Sequence, residues 1–520
     1  MANLLNILRS LPSAISFRKQ AGFYLSVCAV MAVFVAPAPA SEKKVDFSVL
    51  INFNGTNGSE PVAPLIQATD GSLYGTTADG GSGGSCTGQY GCGTVFRITP
   101  GGELETIYNF CALANCADGS YPQAGLVQAP DGSFYGTTSG GADPSCNGGC
   151  GTIFNITTEG KLTTLHQFNG KDGASPMAAL ILAGDGDFYG TTYAGGASEN
   201  NENCMLGGNL AGCGTVFKIS PEGVFATLYS FCSRPNCADG AFPEAGLVQA
   251  ANGKLYGTTS GGGTGADPYC ALYYGCGTIF EITSSGGFKT VFNFCAQGKE
   301  CPGGAFPAAG LIQAADGDLW GTTDGTPASH GEGWGTAFKI TLEGKFTKVT
   351  SLYGYSSAPL MQATDGNFYG TDYIGGTNGI GSVFELTPRG RFATLHSFDG
   401  NDGEFPGAGL LQATDGTFYG TTQGGGSDPG GGVVFTLLVG LGPFVALEPA
   451  YGRVGAKIVI LGNHLKEATG VTFNGTPAQF EAISNSEITA IVPSGATSGT
   501  VEVALPKKIL KSNVAFRVIQ

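Results

Sequence analysis

Seven copies of one phrase, each built on a Tyr-Gly-Thr-Thr core, run through this chain. They centre on Tyr74, Tyr135, Tyr189, Tyr256, Trp320, Tyr369 and Tyr419, and each is followed by a Gly-led phrase ending at Phe96, Phe154, Phe217, Phe280, Phe338, Phe384 or Phe435. A period of this length, rich in β-formers and turn residues, restricts the fold to stacked or radial β units that share cores with their neighbours. The fourth copy shows the unit. Residues 246–250 are a short apolar run, Asn252-Gly253 a tight turn, 255–259 a second run, then a Gly-rich loop, 277–283 a third run, 285–287 a turn, and 288–294 a fourth run. Asn-Gly and Asp-Gly pairs accept the positive φ angles of two-residue hairpin turns, and β-branched and aromatic residues fill the runs between. Four antiparallel strands in about 50–65 residues make a propeller blade.

The fourth-strand phrase also occurs seven times, ending at Phe53, Phe110, Phe168, Phe231, Phe294, Leu352 and Phe398, but shifted by one unit. The first precedes the first core, and nothing equivalent follows Phe435. The N-terminal strand is therefore expected to complete the last blade, which closes a ring and leaves no unpaired edge. The expected fold is all-β: a seven-bladed β-propeller over 45–440 closed by its N-terminal strand, then an immunoglobulin-like β-sandwich over 443–520.

The loops differ in character. Turns between strands one and two are always tight (Asp70-Gly71, Asp131-Gly132, Asp185-Gly186, Asn252-Gly253, Asp316-Gly317, Asp365-Gly366, Asp415-Gly416), whereas the two-to-three and blade-to-blade loops are long and variable. In an up-and-down blade those two long loops emerge on the same face, and elaborated loops on a rigid scaffold are where binding sits. Fourteen cysteines fall there as neighbours: Cys86 and Cys92, Cys111 and Cys116, Cys146 and Cys150, Cys204 and Cys213, Cys232 and Cys237, Cys270 and Cys276, Cys295 and Cys301. With no Cys-x-x-Cys and few histidines, they read as seven disulfides of an exported chain rather than zinc ligands. Each closes a small loop and contributes about 2 kcal/mol on the chain-entropy model, so they pin loops rather than hold the fold together.

Export is expected from residues 1–40. Arg9, Arg18 and Lys19 form a basic start, an apolar run follows, and Ala38-Pro39-Ala40 gives a small-x-small cleavage site, the pattern of a signal peptide. The run is too short to span a bilayer, and no later segment in the mature chain reads as transmembrane. The formal charge is −15; removing the three leader cations and the +2 of the segment from Pro443 leaves about −20 on the repeats. That sign argues against nucleic acid or anionic lipid as partner.

The phrases Leu-x-Gln-Ala-x-Asp-Gly-x-[Phe/Leu]-Tyr-Gly-Thr-Thr and Gly-Thr-Val-Phe resemble the tandem repeats called GloVer, from about 45 to 438. That resemblance implies a bacterial surface or exported protein of variable anchoring and brings no activity with it. Residues 316–322 (Asp-Gly-Asp-Leu-Trp-Gly-Thr) resemble the propeller repeat of two-component sensors. From Pro443 the order Gly452, Gly455, Val459-Ile460-Leu461-Gly462, Val471-Thr472-Phe473-Asn474-Gly475, Val492-Pro493 and Val501-Glu502-Val503 resembles an IPT/TIG domain, which implies an immunoglobulin-like spacer or adhesive module.

No catalytic constellation stands out. His166 and His396 occupy the strand slot filled by Tyr108, Tyr229 and Phe292, so they read as packing residues; His330 and His464 lack metal-spaced partners. The Gly runs lead into strands, not helices, and no serine elbow occurs. The Asp-Gly turns resemble the Asp boxes of sialidase propellers, but a residue repeated in nearly every unit is a turn former first. Calcium is a candidate cofactor only, at Asp185 and Asp187 or at the second Asp set (Asp118, Asp172, Asp239, Asp402). Tyr90, Tyr269, Tyr273 and Tyr274 in the long loops are candidate ligand contacts. The expected function is a non-enzymatic exported binding or surface-interaction scaffold for glycan or protein; the alternative is an extracellular carbohydrate-active lyase or hydrolase using acids that converge on a central channel.

Overall fold

The glycine of each Tyr-Gly-Thr-Thr core sets the packing of its sheet. A Cβ on Gly257 would lie 2.6 Å from Phe280 Cζ and 2.8 Å from Leu247 Cδ2, and Gly75, Gly136, Gly190, Gly321, Gly370 and Gly420 meet the equivalent Phe and Leu in the same way. The third-strand phenylalanine thus lies directly over the second-strand glycine, and both are buried. The computed structural model describes residues 45–519 except 83–85, 87–90, 143–145, 147, 198–203, 205–211, 266–269, 271–274, 297–300, 326–334 and 428–430. Among them there is no α-helix, only strands, turns and short 3₁₀ segments.

Each repeat forms a four-stranded antiparallel sheet in chain order, as in Val248–Gln249, Leu255–Thr259, Thr278–Ile282 and Phe288–Asn293. Six such sheets occur among the described residues, and a seventh is completed from the other end of the chain. There Asp46–Asn52 pairs antiparallel with Val433–Leu438, from Asp46 opposite Leu438 to Asn52 opposite Val433. The shift of the fourth-strand phrase is thus realised as strand donation.

The turns obey one grammar. Asp70 Oδ1 accepts from the Ser72 N–H and Asp70 Oδ2 from the Tyr74 hydroxyl (2.9 and 3.0 Å). Asp185 does the same for Asp187 and Tyr189, and Asp365 for Asn367 and Tyr369. The repeated aspartate therefore both closes an Asx turn and anchors the core tyrosine.

Neighbouring sheets are bonded by buried threonine hydroxyls. Thr76 donates to the Ala124 carbonyl, Thr191 to Ala245, Thr258 to Ala309, Thr322 to Ser356 and Thr371 to Ala408, at 2.9–3.1 Å. Thr421 of the seventh repeat donates to Ala63 of the first (3.2 Å). Phenylalanines follow the same path: Phe110 packs edge-on against Phe154, Phe231 against Phe280, and Phe398 against Phe435, with centroids 5.1–5.3 Å apart. Each core cluster of the repeat region accordingly holds residues of adjacent repeats, and Phe53, Leu65 and Phe96 of the first share one with Val434 of the last.

After Val433–Leu438 the chain makes two further four-stranded sheets. Ala446–Glu448, Lys457–Leu461, Glu487–Ile491 and Phe480–Ala482 form one; Thr476–Pro477, Gly470–Phe473, Val501–Leu505 and Lys508–Lys511 form the other. Ile458, Ile460, Phe473, Ile488, Val501 and Val503 from both sheets share one buried core.

Gly257→Ala should destabilise the chain by about 1–3 kcal/mol, because the methyl group overpacks against Phe280 and Leu247. Ala at Gly253, whose Cβ meets nothing within 4 Å but whose φ is +81°, should cost less than that through backbone strain alone. Thermal unfolding of the two variants side by side checks the order.

Candidate functional site

The C-terminal sheets sit against the tight-turn face of the repeats. Ser486 Oγ donates to the Thr69 carbonyl (2.7 Å) and Asn463 Nδ2 to Thr414 Oγ1 (2.9 Å). The Arg517 guanidinium bonds the Ala251 carbonyl and lies over the Tyr451 ring, which itself sits close to Gly184. Thr69, Gly184, Ala251 and Thr414 all belong to the turns between strands one and two, in the first, third, fourth and seventh repeats. The face carrying the long loops is the one these sheets do not cover.

The aspartates considered for calcium have other employment. Asp185 holds its turn and Tyr189, and Asp187 Oδ2 pairs with the Lys218 ammonium at 3.1 Å. A cation bound there would have to displace a lysine. The second aspartate set shapes the blade-to-blade loops. Asp118 accepts from the Ala112 and Leu113 N–H groups and the Tyr108 hydroxyl; Asp239 does so for Ser233, Arg234 and Tyr229. His166 and His396 take the tyrosine's place, with Nε2 at 3.1 and 2.8 Å from Asp172 and Asp402. Their rings stack on Phe225 and Phe47 at 3.8 and 3.7 Å, the packing role their strand slot indicated. His464 begins a 3₁₀ turn in the C-terminal sheets. Tyr90, Tyr269, Tyr273, Tyr274 and His330 lie outside the described residues.

All seven neighbouring cysteine pairs are joined as disulfides. Four lie in two-to-three loops and three in blade-to-blade loops.

One cavity of about 610 Å³ is lined by the same segment of every repeat, the residues just before each first strand. Its frame is small and uniform: Ala124, Ala178, Ala245 and Ala408, with Gly and Pro beside them. Its variable position reads Val62, Gln123, Met177, Glu244, Ala308, Ser357 and Gly407. Uniform frames seldom discriminate among ligands; the variable position breaks the symmetry. Glu244 accepts from Ser260 Oγ at 2.6 Å and lines the cavity together with Tyr193, and its charge acts on Asp324. Burial pushes the Asp324 carboxyl up to about 7, with the Glu244 charge adding to the rise, and Asp324 Oδ1 has no hydrogen-bond partner. Burial likewise raises Glu244, and the Tyr193 phenol is pushed up to about 12 by burial and by Glu244. A second acid pair, Glu60 and Asp79, stands near Gln423, which donates to Glu60 at 3.1 Å and accepts from Tyr373 at 2.7 Å. No lysine or arginine lines the cavity among the described residues.

Sequence reading missed Glu244, Asp324 and Glu60. The available signal was singularity: the Glu244 position differs in every copy of an otherwise repetitive phrase, and Asp324 and Glu60 are each the only acid at their aligned positions.

The family model of the Gloeobacter/Verrucomicrobia repeat matches residues 38–201, 85–332 and 325–459, which together cover most of the chain. The chain belongs to the Gloeobacter/Verrucomicrobia repeat family. Residues 444–518 match the IPT/TIG domain, so this repeat protein carries a C-terminal IPT/TIG module. No curated protein matches it. Among solved structures it is similar to a puromycin hydrolase (12% identity, 88% of this chain and 58% of that one, TM-score 0.45). It is also similar to PorZ, a surface component of the type-IX secretion system of Porphyromonas gingivalis (14%, 91% and 61%, 0.44), and to the WD40 propeller domain of Doa1 (8%, 76% and 97%, 0.43).

The pH behaviour of this Gloeobacter/Verrucomicrobia repeat protein should report on the buried Asp324 carboxyl. In the fold Asp324 keeps its proton up to about pH 7, whereas in the unfolded chain it ionises near its ordinary 3.8. A raised acid binds more protons folded than unfolded between those values, so its presence costs no stability below about pH 4 and progressively more as pH rises to about 7. Asp324→Asn should therefore raise the melting temperature at about pH 8 and leave it unchanged at about pH 4, as differential scanning calorimetry would read.

Proposed function

We propose that this protein is an exported, non-enzymatic binding scaffold that engages a glycan or protein partner through its long-loop face. The reading takes residues 1–40 as a signal peptide, 45–440 as a seven-bladed propeller closed by its own N-terminal strand, and 443–520 as an immunoglobulin-like sandwich. The observation that carries it is the division of faces: the IPT/TIG module sits on the tight turns, while disulfides pin the loops around the opposite end. Strand donation and the Thr421–Ala63 bond support closure of the ring. Seven disulfides suit an oxidising compartment outside the cytoplasm, and no helix among the described residues is long and apolar enough to cross a membrane. A rigid disc with a second module attached presents loops without needing to move.

The pair Glu244 and Asp324 favours a second reading, a carbohydrate-active lyase or hydrolase. An enzyme needs an asymmetric cluster, and a carboxyl raised to about 7 beside another acid is the pattern of a general acid. One experiment separates the two. Purified mature chain is applied to a glycan array and incubated with the polysaccharides it retains. Retention without release of reducing or unsaturated ends is the expected result. Release of such ends that survives repurification and disappears in Glu244→Gln/Asp324→Asn would replace the scaffold by the enzyme.

A further inference from the structure

We infer that the adjoining disulfides of the loop face are closed forms of tetrathiolate sites, which on reduction take a borderline-soft divalent cation of the zinc class. The motivation is a recurrence that loop pinning alone does not require. In three places the disulfide of a two-to-three loop abuts the disulfide of the following blade-to-blade loop. The sulfur atoms of Cys86, Cys92, Cys111 and Cys116 all lie within 4.8 Å of one another, and so do those of Cys204, Cys213, Cys232 and Cys237. Cys270, Cys276 and Cys295 form the third group under the same limit, with Cys301 bonded to Cys295. A tetrahedral zinc with Zn–S bonds of about 2.3 Å needs sulfurs roughly 3.8 Å apart, so shifts of about 1 Å suffice. The second group is buried throughout, which would strip the ion of water.

Backbone hydrogen bonds hold Cys92, Cys111, Cys116, Cys213, Cys232, Cys237 and Cys276 independently of the S–S bonds. The Cys111 N–H donates to the Gly119 carbonyl and the Gly119 N–H to that of Cys116; Cys232, Gly240 and Cys237 repeat this. The carbonyls of Cys92, Cys213 and Cys276 accept from Tyr121, Phe242 and Phe306. Asp118 and Asp239 hold the backbone inside two of these loops. The cysteine-free loops after Phe168 and Phe398 use Asp172 and Asp402 in the same way, binding the N–H groups of Asn169 and Asp399. On reduction these seven positions keep the backbone bonds that present their thiols.

The chemistry balances with a dithiol as reductant. Each disulfide accepts two electrons and two protons while one dithiol becomes a disulfide, so a quartet consumes two dithiols and yields four thiols. The incoming M²⁺ then displaces four protons and leaves a dianionic tetrathiolate centre.

The test uses the full mature chain, reduced with excess dithiol, freed of it by anaerobic gel filtration and titrated with Co²⁺. Expected are thiolate-to-cobalt charge transfer and the visible bands of tetrahedral cobalt, saturating at three ions per chain, one for each group. Cys232→Ser/Cys237→Ser should saturate at two. Cys146→Ser/Cys150→Ser, which removes the pair that adjoins no other, should still saturate at three. Circular dichroism before titration verifies that the reduced chain retains its β structure. Loss of that structure on reduction, absence of charge-transfer bands, or an equal loss of cobalt in both variants would each overturn the inference.

Discussion

A phenyl ring lying over a bare backbone holds this architecture together. Because Gly257 and its six equivalents have no side chain, the third strand's phenylalanine and the leucine just before the first strand close over the second strand, leaving no gap a methyl group could fill. That contact fixes the distance between strands within a sheet. It also frees the two following threonines for other tasks. The first bonds the next repeat, and the second bonds the start of its own third strand, as Thr259 does with Thr278 at 2.8 Å. The Gly-Thr-Thr triplet is thus one packing residue and two connectors. Its recurrence in six of the seven copies follows from the need for each sheet to meet its neighbour in the same way.

Contacts made by pairs of positions change together. The first-strand glutamine of one repeat accepts from a turn N–H of the repeat before: Gln249 from Gly184, Gln313 from Ala251, Gln362 from Ala315, Gln412 from Thr364, and Gln67 from Thr414. The corresponding turn residue of the second repeat is Pro130, which has no N–H, and there the partner is Leu182 instead of glutamine. The same holds on the loop side. Tyr229 bonds Asp239, but where Phe292 replaces the tyrosine, Gly303 stands in place of the aspartate. A buried acceptor without a donor is costly, so each loss is matched across the contact. The sixth repeat makes the opposite choice. Asp372 replaces the second threonine, bonds Ser382, and is raised to about 7 by burial.

The repeat grammar made the strands, the tight turns and the donated N-terminal strand legible, because each is written seven times and errors in one copy are corrected by the others. The cysteine pairs were legible because their loops are short. The approach of one disulfide to the next was not, since it depends on a loop between repeats folding back toward a loop within one. Glu244 and its partner acid were hidden for a different reason. Glu244 and Asp324 stand eighty residues apart in different repeats, and only the curvature of the array brings a strap of the fourth against a strand end of the fifth. Repetition identifies structure by what recurs; it conceals a site made of what does not.

That contrast bears on what the cavity is for. Two of the seven variable strap positions are filled by Ala308 and Gly407, so the fold does not require a long side chain there. A carboxylate at 244 bonds Ser260, but its burial disfavours the charged form. The uniform frame carries stability, and the strained acids sit where the frame has no use for them. Asp324 Oδ1, buried and without a hydrogen-bond partner, is the least satisfied of these groups.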